Sequence, residues 1–77
     1  MSQYYFDLFD GREMKDETGQ ELADSSELCL EIRRTLAEFI MQAHGPTSAV
    51  LNVRNRHNQT VATASISVSF DRLDTRH

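Results

Sequence analysis

The sequence predicts an α+β domain, a two-layer ββαββ arrangement with one long helix packed on a four-stranded, mainly antiparallel sheet. Three observations carry this. Residues 24–46 show helical periodicity between clear start and stop signals. Residues 60–70 alternate strictly between apolar and mostly hydroxyl side chains. An aromatic run over residues 3–9 leads directly into the turn dipeptide Asp10-Gly11. A sheet with one apolar face needs a cover, and a single amphipathic helix across it is the economical solution.

Residues 3–9 (QYYFDLF) are rich in aromatics, which suits a strand. Tyr4, Phe6 and Leu8 point one way, toward the helix; Tyr5, Asp7 and Phe9 point toward a partly exposed face. After Asp10-Gly11, a short return strand over residues 12–16 closes a hairpin. Residues 16–21 then read as a polar loop with Gly19 at its tight point, and Leu22 is placed to pack near Leu28.

The helix is expected over residues 25–44, roughly 30 Å at 1.5 Å per residue. Asp24 caps the amides of its first turn, and Glu27 stands at capping-box spacing to answer it. Gly45 and Pro46 end it. At about 100° per residue, Leu28, Phe39, Ile32, Ala43, Leu36, Cys29 and Ile40 share one face, the core face. Glu31, Arg34, Thr35, Glu38 and Gln42 form the solvated side. Leu30, Ala37 and Met41 make a second apolar stripe, read either as ordinary surface or tail contact, or as a self-association or partner surface.

Beyond Pro46, residues 49–55 form a strand with Val50 on one side and Leu51 and Val53 on the other. The turn Arg56-His57-Asn58-Gln59 has no glycine, and Asn58 is the residue that tolerates a left-handed conformation. In the last strand Ala62, Ala64, Ile66, Val68 and Phe70 face the core, and Val61, Thr63, Ser65, Ser67 and Ser69 face water. The domain is expected to span residues 1–70, with a charged, frayed tail over 71–77.

At 77 residues the chain sits near the lower size limit for a self-sufficient core, so a dimer would bring useful stability. The net charge of −4 and the absence of a basic run argue against non-specific binding to nucleic acid or anionic membrane. The single cysteine, Cys29, allows no intrachain disulfide and reads as a small buried hydrophobe. With no apolar run long enough to span a bilayer and no leader pattern, the expected location is cytoplasmic.

The segments YYFDLFDG, DETGQELAD and VATASISV resemble a family of small bacterial proteins known as domain of unknown function 6894. Its pattern is an aromatic strand ending in Asp-Gly, a D-x-x-G-x-E-L-x-D loop, one long helix and a terminal hairpin. Asp10, Gly11, Asp16, Gly19, Glu21, Leu22 and Asp24 match it, and the resemblance covers most of residues 4–70. The final turn departs from the family's usual Asp-Gly. The resemblance implies the fold and no activity, and its matched residues are turn and cap formers.

Little in the chain points to chemistry. Asp16, Glu17, Glu21 and Asp24 offer oxygen ligands, but without the spacing of a calcium-binding loop they read as turn and cap residues. His44, His57 and His77 have no ligand-spaced partners, so no metal or cofactor is expected. Asn58-Gln59-Thr60 fits the glycosylation pattern formally, which a cytoplasmic chain does not use. With no catalytic motif, the expectation is a small non-catalytic interaction module that forms a homodimer or docks on another protein. It would use the Leu30/Ala37/Met41 stripe or an exposed strand edge. The alternative is a nucleic-acid-binding or toxin–antitoxin-like regulatory protein, using Arg54, Arg56 and His57 at the last hairpin with Arg33 and Arg34 on the helix; net acidity weighs against it.

Overall fold

In the computed structural model, which describes residues 1–71 and 73, six elements follow one another: β1 (Ser2–Phe9), β2 (Glu13–Met14), β3 (Gln20–Leu22), α1 (Ser25–Gln42), β4 (Thr47–Asn55) and β5 (Thr60–Val68). All strand pairings are antiparallel, in the order β2-β1-β4-β5, with β3 also paired to β1. The α+β class is as the sequence predicts, and the sheet gains one short strand.

That strand, β3, lies where a loop was expected. β2 pairs with the end of β1 (Leu8↔Met14, Phe9↔Glu13) and β3 with its beginning (Ser2↔Leu22, Gln3↔Glu21, Tyr4↔Gln20). The two lie end to end along the same edge of β1. The gap between them is filled by Asp16, whose Oδ2 accepts the Phe6 amide at 3.0 Å. A side-chain carboxylate thus stands in for a strand carbonyl, a substitution that periodicity does not reveal.

The helix begins as expected, with the Asp24 side chain accepting from the Glu27 amide at 3.0 Å. Glu27 reaches one residue further back than a capping box, accepting from the Ala23 amide at 2.7 Å. The helix stops at Gln42, two residues short of the expected end, because Ala43 is already extended (ψ 156°) and starts the path into β4. Gly45 takes the left-handed conformation (φ +83°) that the reversal requires.

The core lies between α1 and the centre of the sheet. Leu36, Leu51 and Val53 are buried, with Tyr4, Phe6, Leu8, Leu28, Ile32, Ala62, Ala64 and Ile66 packed around them. Leu22 and Ala49 are buried too. The helix packs over β4 and β5, where alanines on β5 leave room for it.

Two expectations are corrected here. Cys29 is exposed, not a buried hydrophobe, whereas Glu31 and Thr35 are partly covered. The helix is rolled toward the β1 side, where Leu22 and Gln20 border Glu31; on Cys29's side the sheet ends at β5 and offers no cover. Phe70, expected on the core face, is 58% exposed. β4 starts at Thr47, whose partner is Val68, so no strand remains for Phe70 to lie beside. The expected tail over 71–77 falls largely outside the described residues, as does His77.

Candidate interaction site

The face of the sheet opposite the helix carries a polar brace. Asp7 projects from β1 and Arg54 from β4, and their strands pair so that Asp7 lies opposite Asn52 and Tyr5 opposite Arg54. The diagonal offset brings Arg54 Nε to 2.6 Å from Asp7 Oδ2 and a terminal guanidinium nitrogen to 3.3 Å from Oδ1. The same nitrogen donates to the Asp16 carbonyl at 2.9 Å, and the Asp16 amide donates to Asp7 Oδ1 at 2.9 Å. The guanidinium also lies 4.8 Å from the centre of the Tyr5 ring. Asp7 is only 8% exposed, and its satisfied oxygens explain how an acid is tolerated there.

Burial alone would push both carboxyls up, but their hydrogen bonds outweigh it. Asp7 is held below its ordinary value by the Arg54 hydrogen bond, the Asp16 amide and the charges of Arg54 and Lys15. Asp16 is held down by the amides of Phe6, Gly19 and Thr18, with the Asp7 charge opposing. Arg54 is shifted up, chiefly by its hydrogen bond to Asp7. The loop closes on Gly19 (φ +77°), where an added Cβ would come within 2.6 Å of Gln3 Nε2 and 2.8 Å of Tyr5 Cε2.

The three residues of the expected basic patch separate accordingly. Arg54 belongs to the brace, its charge balanced by Asp7. Arg56 and His57 lie at the β4–β5 turn and border an open groove with Gln3, Tyr4 and Asn55. That turn is built by Asn55, whose Oδ1 accepts from the His57 amide at 2.9 Å and the Gln59 amide at 3.0 Å. Asn58 takes positive φ (62°), as its residue type suggests.

The helix stripe stays exposed as a unit. Leu30 is 55% and Met41 83% exposed, and Ala37 is exposed between them. With Leu36, Ile32 and Phe39 turned to the sheet, helical spacing directs Ala37 and Met41 away from it, while Leu30 borders Gln20 and Leu22 of β3. Glu27, Glu31 and Arg34 border Gln20 and Leu22 of β3, and helical spacing sets Cys29, Arg33 and Ile40 on the other flank, away from β3.

β5 presents the edge that the strand order leaves open. One of its edges pairs with β4, and no described residue pairs with the other. Its nine residues, TVATASISV, include neither a charge nor a proline. A bulge displaces Val61, since Val53 pairs with Ala62 and Arg54 with Thr60. Among the described residues, no group of His, Cys, Asp or Glu is arranged to hold a metal ion, and no helix is long and apolar enough to cross a membrane.

Fold and site together define a small helix-on-sheet α+β domain whose motif residues serve turns, a helix cap and the brace that ties its loop to the sheet. The chain belongs to the DUF6894 family, a domain of unknown function, whose profile matches residues 3–67. No curated protein and no solved structure matches the chain.

Proposed function

We propose that this domain is a non-catalytic protein-interaction module whose docking element is the free edge of β5. The observation that supports this most is the uncharged, proline-free run Thr60–Val68 with a row of backbone donors and acceptors open along one side. Natural sheets ordinarily protect such edges with lysine, proline or very short strands, because an open edge templates pairing with another chain. Here the other edge of the sheet is interrupted, made of the short β2 and β3, whereas β5 is long and unguarded. Strand addition gives affinity through main-chain hydrogen bonds and needs no deep pocket.

Among the described residues, the groove beside Arg56 and His57 and the one beside Phe9 and Ser65 are open and carry no convergent set of catalytic groups, in keeping with a binding role. Nucleic-acid binding has less support, because the Arg54 charge is balanced by Asp7 and the chain carries a net charge of −4.

The test compares wild type with Thr63→Lys/Ser65→Lys, both exposed positions on β5, for co-purification with a differently tagged copy and with any other protein chain. Association that the double substitution abolishes supports the reading. Association that is absent, or equal in both proteins, overturns it.

A further inference from the structure

Resting on that reading, we infer that the occupant of the β5 edge is a second copy of this chain, paired antiparallel about a two-fold axis through Ala64. The strand is complementary to itself. In antiparallel pairing the two residue numbers opposite each other have a constant sum, and side chains on one face must meet side chains on the same face. Centring on Ala64 pairs the regular stretch around the axis, Ala62–Ile66, short of the bulge at Val61. Ala62 then lies opposite Ile66 on the helix side, and Thr63 lies opposite Ser65 on the open side. In these central pairs apolar meets apolar and hydroxyl meets hydroxyl, while the outer positions set Val61 and Thr60 near Ser67 and Val68; no charge lies anywhere along the strand.

Two further observations lead to the same edge. The two-fold axis makes one continuous sheet with both helices on the same side, running antiparallel to each other. Because α1 packs over β4 and β5, the flanks that meet carry Cys29, Arg33 and Ile40. This is the side on which Cys29 lacks cover in the single chain. The core of that chain is also sparse: Leu36 is the buried residue of an 18-residue helix, in a domain of the size for which association commonly supplies missing stability. An isologous two-fold contact closes on itself, so an open edge satisfied this way does not propagate into fibres.

The experiment uses the purified full chain in two parts. Sedimentation equilibrium is expected to show a dimer for wild type. Thr63→Lys/Ser65→Lys sets introduced ammonium groups opposite one another across the axis, and its dissociation constant is expected to rise about tenfold or more. Its circular dichroism is expected to remain that of wild type, since both side chains point into solvent.

For register, Thr63→Cys and Ser65→Cys are each made with Cys29→Ser and mixed under mild oxidation. The mixed pair sits at a separation that a disulfide spans, so it is expected to crosslink faster than either variant alone. A wild type that stays monomeric at the highest soluble concentration overturns the dimer. If β5-dependent binding to a different chain persists in that case, the interaction module stands without it. A dimer that survives the lysine substitutions, or crosslinks without preference for the mixed pair, overturns the β5 geometry.

Discussion

Asp7 Oδ2 accepts a hydrogen bond from Arg54 Nε at 2.6 Å, joining two side chains 47 positions apart on neighbouring strands. Through the amide and carbonyl of Asp16, the same pair fastens the loop that delivers β3 to the edge of β1. Removing the carboxylate leaves the guanidinium and the Asp16 amide without their acceptor. Asp7→Ala is therefore expected to lower unfolding stability by roughly 1–3 kcal/mol, read by urea denaturation at neutral pH.

The brace also sets an acid response. Asp7 and Asp16 both titrate below the ordinary aspartate value of 3.8 in the folded chain. As pH falls, the unfolded chain takes up these protons first, so folding loses ground in that window. Their contribution is complete above about pH 5 and disappears as pH drops through the lower folded-state values. Thermal melts of wild type between pH 5 and pH 2 are expected to show a steeper decline than those of Asp7→Asn; parallel declines would contradict this role.

Gly19 is required twice over, by its φ of +77° and by the Gln3 and Tyr5 side chains beside it. Gly19→Ala is expected to cost roughly 1–2 kcal/mol from the backbone term alone and to speed amide exchange in β3. Gly11 has positive φ (107°) but open space around it, so Gly11→Ala is expected to cost less than Gly19→Ala in the same denaturation assay.

At the helix start, Asp24 and Glu27 each satisfy an amide that the helix leaves unpaired. Asp24→Ala is expected to cost about 1 kcal/mol, visible as a lower melting temperature with the sheet signals unchanged.

Met41 lies on the stripe that points away from the sheet. Met41→Glu is expected to change stability by less than about 0.5 kcal/mol and to leave self-association through β5 intact. Loss of the dimer in this variant would transfer the interface to the helix stripe.

The readable parts of this fold were those written in local periodicity. The strict alternation of β5, the capped start of α1 and the inward set Tyr4, Phe6 and Leu8 all follow from spacing along a single element. What escaped sequence reading depends on neighbours distant along the chain. Asp7 reads as a charge on a wet face until β4 brings Arg54 beside it, and Arg54 reads as part of a basic cluster until Asp7 claims it. Asp16 resembles an ordinary loop residue, yet its carboxylate completes the β1 edge and so makes β3 a strand. Cys29 sits at the margin of the helix core arc, and only the termination of the sheet at β5 decides that it is exposed. The candidate edge was legible as composition, in a run free of charge and proline; its being an edge depended on strand order, which no local pattern encodes.

Amide hydrogen exchange across Thr60–Val68, followed as a function of protein concentration, tests the central claim most directly. In a lone chain no described residue pairs with the outward-facing amides of β5, which are expected to exchange fast, while those bonded to β4 are protected. The account predicts that the outward set becomes protected as concentration rises, with the pattern alternating along the strand and symmetric about Ala64. Outward β5 amides that exchange at one fast rate at every concentration would contradict it.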